Sequence, residues 1–334
     1  MGDAVDVLVV SVAGTIGWTR GARELTDGLA RAGARVVPIQ AARPADVRTL
    51  MLTDLREAYA ARRAALRGIA AHRPRAIVYC STTSALLWPR TGAVWLDATA
   101  ATNRPGRHGA WQRPLERRRL AAAPVVLGWS PGAFDGAREV IRGEPVVVPV
   151  PVEPSGAPLA PLAERDLAAV AYVADPAKRR LALTLEAWRR ARRVGETLVV
   201  AGLERADEPG VRFAGRVDPE AFRGLLRRAR VFLATPREEE YGIAALEALA
   251  DGAQLVTTPA RGAYPAFSLA SALDSRLVAS DADALAVALR AALDAPRADY
   301  AAAAAERLVD YRRSTMSAVL GRDVLPRLVP RWRA

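Results

Sequence analysis

The sequence contains one cysteine, Cys80, two histidines and, among its 48 basic side chains, a single lysine, Lys178. A lone cysteine excludes an internal disulfide and a zinc ribbon, and it fits a reducing compartment. No apolar run approaches the roughly 18 residues of a membrane helix. The first residues carry Asp3 and Asp6 rather than the basic segment that opens a signal peptide, so a cytoplasmic protein is expected. Aromatic residues make up only 6% of the chain, and no nucleic-acid-binding motif is present, so no nucleic-acid partner is expected despite a net charge of +12.

The charge is uneven. Residues 1–150 carry 21 basic and 12 acidic side chains, a balance of +9, against 27 and 24 over 151–334, a balance of +3. Arginine in place of lysine almost everywhere is mostly a mark of GC-rich coding. The excess in the first half is still enough to attract an acidic acceptor or an anionic membrane surface at the inner face of the membrane.

At 334 residues and 51% hydrophobic composition, the chain can bury two substantial cores. Short apolar runs alternate with longer amphipathic stretches. In the first half, strands are expected at 5–12, 35–39, 75–80, 93–96, 124–129 and 145–150. Helices are expected at 22–32 and 46–71, with 14–21 as a loop. The proline-rich stretch 149–163 has no regular period. Strands then resume at 168–173, 197–201, 211–214, 231–234, 254–257 and 276–278. They are interleaved with helices at 177–193, 219–229, 242–250, 282–294 and 297–318. This alternation predicts an α/β protein of two doubly wound parallel sheets. The expected domains are a first over 1–150, a linker over 151–163, a second over 164–320, and a tail over 321–334 returning to the first domain. Ligands of such sheets bind at the carboxyl ends of strands, and two facing domains would make a cleft.

The most informative stretch runs from Val231 to Pro259. A strand ends at Ala234, an acidic loop follows, and Gly242 opens a helix. Glu239 in the loop and Glu247 on the helix are eight residues apart. A helix N-terminus directs N–H groups and a positive dipole end outward, which suits a diphosphate. A loop glutamate can bind sugar hydroxyls, and a helical one can hold both hydroxyls of a ribose. By spacing alone, the pattern also fits a solvated acidic loop beside a surface helix.

Pro236, Glu239, Tyr241, Gly242, Ile243, Leu246, Glu247, Ala248, Leu249, Ala250 and Gly252 follow a pattern that resembles the E-x7-E region of retaining GT-B glycosyltransferases of family 4. Residues 168–204 and 211–232 resemble the same family's first donor-domain strands and helix. The resemblance implies a GT-B fold of two Rossmann-like domains facing a cleft. It implies that Glu239 contacts the donor sugar, that Gly242 and Ile243 offer backbone N–H groups to the phosphates, and that Glu247 holds the ribose. Lys178 falls where the family places a lysine on the donor diphosphate, with Arg179 beside it. A compact ammonium suits a phosphate oxygen as a point charge. Three departures leave the donor's base and sugar unassigned. Glu240 stands in place of a glycine, the run 261–265 replaces G-G-x-x-E, and Ala174-Asp175 replaces G-R.

In the first half, the glycines of Ser11–Arg23, including Gly14 and Gly17, follow the first strand. They are not the dinucleotide fingerprint. The resemblance places this loop toward the donor phosphates, and a tight packing turn is the alternative. Residues 97–119 follow a strand and carry Asp97, Asn103, Arg104, His108 and Trp111. Such a loop fits an acceptor side, with Trp111 able to stack on a sugar face. A histidine in this domain of the family often contacts the donor sugar, so His108 is a catalytic candidate with Glu239 and Lys178. A solvated or anion-binding basic face is the alternative.

Two motifs are excluded by mechanism. Gly128-Trp129-Ser130-Pro131-Gly132 matches a nucleophile elbow, but Pro131 has no N–H for an oxyanion hole and both histidines precede Ser130. Asp281-Ala282-Asp283 precedes a helix and reads as an N-cap rather than a metal motif. The expectation is a glycosyltransferase, metal-independent and retaining, that moves a hexose-type sugar. Its co-substrate is a nucleotide-diphosphate sugar, with no further cofactor and no metal. Its acceptor is a carbohydrate, lipid-linked or small molecule. A nucleotide-sugar epimerase and a catalytically silent nucleotide-sugar-binding protein are the alternatives.

Overall fold

The computed structural model describes residues 5–332 except 15, 43, 46, 48, 105, 157 and 158, without the side chains of Leu50 and His108. The chain divides into two compact units. Unit 1 is Met1–Pro151 with Tyr311–Ala334, and unit 2 is Val152–Asp310.

Unit 1 is a six-stranded parallel sheet of β1 (Val7–Val12), β2 (Val36–Ala41), β3 (Ala76–Cys80), β4 (Ala93–Leu96), β5 (Val126–Gly128) and β6 (Val146–Val147), in the order β2-β1-β3-β4-β5-β6. β1 is buried at every position because it is covered on both faces, as a central parallel strand must be. Its helices are α1 (Ile16–Arg31), α2 (Leu50–His72), α3 (Thr82–Leu86), α4 (Ala100–Asn103) and α5 (Gln112–Ala122). The winding reverses between β1 and β3, so the loops beginning at Ala13 and Ser81 flank the crevice where such sheets take ligands.

Unit 2 is a five-stranded parallel sheet of β7 (Leu167–Tyr172), β8 (Leu198–Ala201), β9 (Val211–Gly215), β10 (Ala229–Ala234) and β11 (Gln254–Thr257), in the order β11-β10-β7-β8-β9. Its helices are α6 (Leu181–Ala191), α7 (Pro219–Arg228), α8 (Ile243–Ala250), α9 (Pro265–Leu273), α10 (Ala282–Asp294) and α11 (Tyr300–Arg307). Here the switch point lies between β7 and β10.

Several local expectations are corrected. The stretch 14–21 is not a loop, because α1 already begins at Ile16. One reason is packing: Gly21 lies under Trp95 and Trp129, where a Cβ would come within 3.3 and 3.1 Å of the two rings. The expected strand 276–278 is a 3-10 turn, Ser275–Leu277, and Val278 makes one isolated bridge to Thr257. The expected helix 297–318 is broken into α11 and α12 (Arg313–Val319), and the chain passes from unit 2 to unit 1 between Asp310 and Tyr311. The return to unit 1 therefore falls before residue 321.

After α12 come a π-helical turn, Leu320–Val324, and α13 (Leu325–Leu328). The Arg313 guanidinium donates to both Glu24 carboxylate oxygens at 2.8 and 2.6 Å, and the missing side chain of Gly28 makes room for Leu320 and Met316. The proline-rich stretch is not a loose linker in its described part. Ser155 donates its N–H and hydroxyl to Asp251 at 2.8 Å each, and Arg223 donates to the Glu153 carbonyl at 2.7 Å.

Candidate active site

Two loops meet at the unit 2 switch point. The first leaves β7 and runs through Asp175 to Arg180. Asp175 accepts from the N–H groups of Ala177 and Lys178 at 3.0 and 2.9 Å, turning the chain so that Lys178 is exposed. That local duty explains an aspartate at this position. The Lys178 carbonyl accepts from the Arg237 N–H at 2.8 Å, joining the first loop to the second, which leaves β10. The Thr235 hydroxyl adds a bond to the Arg179 carbonyl at 2.9 Å and lies 2.7 Å from the Thr184 hydroxyl.

Arg180 holds the assembly from beneath. Its guanidinium donates to the carbonyls of Thr235 at 2.9 Å and Pro236 at 3.0 Å, and to the Thr258 hydroxyl. Its backbone is left-handed, at φ 45°, a strained state for a residue with a Cβ. Arg180, Thr235 and Thr258 were not singled out by the sequence. The one signal was the basic triplet 178–180, in which the third residue, Arg180, turns to the protein.

Gly242 caps α8 at φ 80°, and a Cβ there would meet the Tyr264 ring at 2.7 Å. Tyr264 in turn lies 2.8 Å from the Thr257 hydroxyl, and burial holds its phenol above the ordinary value, so it stays neutral. The segment 261–265 is tied back to the acidic loop: the Glu239 N–H donates to the Arg261 carbonyl at 2.8 Å, and the Tyr264 N–H to the Glu239 carbonyl at 3.2 Å. Gly262, at φ 100°, passes too close to the Glu239 carbonyl for any Cβ. The departure from the G-G-x-x-E pattern therefore builds a strap under the acidic loop.

Within this frame Glu239 is buried and ion-paired to Arg179. Both line a narrow pocket with Thr235, Gly242 and Tyr264. The pocket encloses about 20 Å³, room for a water molecule but not for a sugar ring. The Lys178 ammonium makes no ion pair among the described residues. Glu247 is buried and bonded to Arg223 at 3.2 Å, and Arg223 also reaches Asp251 at 2.6 Å. Burial works against the charge on Arg223, but the Asp251 bond and the Glu247 carboxylate outweigh it and hold the guanidinium above its usual range.

The first-half candidates fare differently. Gly14 follows β1 at the unit 1 switch point, where a Cβ would come no nearer than 3.8 Å to Trp18 and the Val12 carbonyl, so packing does not require a glycine there. Gly17 lies in the first turn of α1. The stretch 97–119 is not one loop: it holds α4, a 3-10 turn at Gly106–Gly109 and most of α5. Arg104 is not held open for an acceptor. Its guanidinium bonds buried Asp54 at 2.8 and 3.1 Å, and Gln112 donates to the same carboxylate. Burial opposes its charge, but Asp54 more than compensates and Arg104 is held above the usual arginine range.

Glu116 is buried beside this cluster. Both its oxygens accept from the Ala100 N–H at 2.9 Å, and burial raises its pKa to about 7 against hydrogen bonds from Ala100 and Thr82. Asp97, Asn103 and Trp111 are half-buried. His108 lies in the 3-10 turn, and its side chain is outside the described residues. The two excluded motifs have structural duties. Gly128 leaves room for the Phe134 ring, and Asp281 caps α10 by accepting from the Ala284 N–H at 2.9 Å.

The whole chain has the GT-B fold. It resembles sucrose-phosphate synthase from Thermosynechococcus elongatus at 18% identity and TM-score 0.70, covering 96% of this chain and 98% of that one. It resembles WaaG, a glycosyltransferase involved in lipopolysaccharide biosynthesis, at 15% identity and TM-score 0.68, covering 95% and 100%. A UDP-forming α,α-trehalose-phosphate synthase from Burkholderia xenovorans, solved in complex with glucose-6-phosphate, matches at 14% identity and TM-score 0.68, covering 96% and 99%. Residues 164–295, all within unit 2, match the family described as glycosyl transferases group 1. No curated protein sequence matches the chain. Among the described residues, no helix is long and apolar enough to cross a membrane.

Proposed function

We propose that the chain transfers a hexose-type sugar from a nucleotide-diphosphate donor to a carbohydrate, lipid-linked or small-molecule acceptor, with retention of configuration and without a metal ion. One observation carries this reading: Lys178, Arg179, Glu239 and the start of α8 converge where β7 and β10 end, at the switch point of a group 1 glycosyltransferase domain. The reaction breaks the bond between the anomeric carbon and the diphosphate through an oxocarbenium-like transition state. The leaving diphosphate gains charge, and preorganised cations and N–H groups aimed at it lower the barrier. Lys178 and the N-terminus of α8, with Gly242 and Ile243, supply them. Glu239 exchanges Arg179 for sugar hydroxyls, which frees the guanidinium for a phosphate oxygen. Glu247 holds the ribose.

The likeness to a UDP-forming synthase makes uridine diphosphate the first nucleotide to test. A thermal-shift screen of nucleoside diphosphates and their sugars reads binding directly, since a ligand of the folded state raises the melting temperature. Sugar transfer is then followed with and without a chelator. Stabilisation by one nucleoside diphosphate and transfer that survives chelation are expected. No stabilisation by any nucleotide overturns the donor assignment, and loss of transfer restored by manganese overturns the metal-free chemistry.

A further inference from the structure

Helix α2 buries one face in the core of unit 1, where Ala58, Ala61, Ala64 and Ala65 are fully buried. Its opposite face is not polar. Leu52 is 46% exposed, Leu55 41%, Tyr59 56% and Leu66 46%. At roughly 3.6 residues per turn these four fall on one stripe. Exposed Arg56, Arg63 and Arg67 form a second stripe along its flank. The only acidic residues of the helix lie elsewhere: Asp54 is buried against Arg104, and Glu57 is half-buried off the stripe. Beside the stripe runs a groove of about 690 Å³, lined by Ala42, Pro44, Leu55, Tyr59, Arg63 and Leu87.

Four large apolar side chains left in water beside three arginines, with no carboxylate among them, match a helix that lies in a lipid interface. A second copy of the chain would fit poorly. A two-fold contact places the same patch against itself, so arginines would meet arginines.

We propose that α2 seats unit 1 on an anionic lipid surface. Leu52, Leu55, Tyr59 and Leu66 enter the boundary between headgroups and acyl chains, and Arg56, Arg63 and Arg67 meet lipid phosphates. The assignment does not rest on the donor chemistry, and its test needs no activity. The full chain is co-sedimented with vesicles of phosphatidylcholine alone and with vesicles that also contain phosphatidylglycerol. Binding is expected only to the second, weakening as salt rises. The variant Arg56→Glu/Arg63→Glu/Arg67→Glu is expected to bind about 100-fold more weakly, from the loss of three basic contacts. A charge-matched variant in unit 2, Arg212→Glu/Arg216→Glu/Arg307→Glu, keeps most of the binding. Leu55→Ser/Tyr59→Ser loses at least about tenfold with an unchanged melting temperature, since both side chains are exposed. Equal loss in the two arginine variants, or no binding of the parent to phosphatidylglycerol vesicles, overturns the proposal. Self-association of the parent that Leu55→Ser/Tyr59→Ser abolishes would assign the stripe to a second copy instead.

Discussion

Two arginine–carboxylate pairs set the two units apart. In unit 1, buried Asp54 holds half-buried Arg104 and buried Gln112 together, and its carboxylate is taken up by them. Arg179 and Glu239 in unit 2 stand at a switch point, beside an exposed lysine and a helix start. In sequence Arg104 and Arg179 looked alike, each an arginine expected to face a ligand. The difference is topological. A polar side chain beside a crossing helix finds partners within the protein, whereas one where the winding reverses faces a crevice that no crossover covers.

The widest break in this comparison is expected from Asp54→Ala. It leaves half-buried Arg104 and buried Gln112 without their shared acceptor, and losing one partner of such a pair costs about 3 kcal/mol. Chemical denaturation should show this loss, and nucleotide binding per folded molecule should be unchanged. Lys178→Ala is expected to do the reverse. It should lower kcat/KM about 100-fold, similar to the loss of one oxyanion donor, with an unchanged melting temperature. Lys178→Arg should recover part of that loss, because a planar guanidinium replaces a point charge poorly. Parental kinetics in Lys178→Ala would pass the role to Arg179.

Glu116 sharpens the contrast through pH. Its folded pKa of about 7 lies above the 4.5 of an ordinary glutamate, so the fold favours the protonated form. The stability it contributes is complete below about pH 4.5 and is lost as pH rises to about 7, on the order of 2–3 kcal/mol by linkage. Denaturation at pH 5 and pH 8 should show this fall in the parent and a smaller one in Glu116→Gln. An equal fall in both would remove Glu116 as its source. The smallest effect is expected from Glu247→Gln. Weakening its bond to a ribose should cost nucleotide binding roughly 2 kcal/mol. Calorimetry should also show poorer discrimination between ribo- and 2′-deoxyribonucleotides. Unchanged discrimination would return Glu247 to a structural pair with Arg223.

Much of the fold was legible because its signals are local. The strands at 93–96 and 254–257 and the helix at 282–294 fall where apolar periodicity and an aspartate cap place them. Three readings needed the tertiary structure. The helix over 297–318 breaks where the chain changes units, which composition rich in alanine does not mark. Gly21 is a packing glycine under two tryptophans, a contact between residues far apart in sequence. Arg104 became structural only once Asp54, fifty residues earlier, was brought beside it.

The sequence by itself determined two parallel α/β sheets and a motif whose glutamates lie eight residues apart on a loop and the helix after it, because strand and helix periods and short spacings are properties of neighbouring residues. Only the tertiary structure decided which charges are spent within the protein. It paired Glu239 with Arg179, Glu247 with Arg223 and Arg104 with Asp54, and left Lys178 exposed and α2 with an apolar stripe beside its arginines. A charge is committed or open according to what the chain folds against it, and that partner lies 24, 50 or 60 residues away.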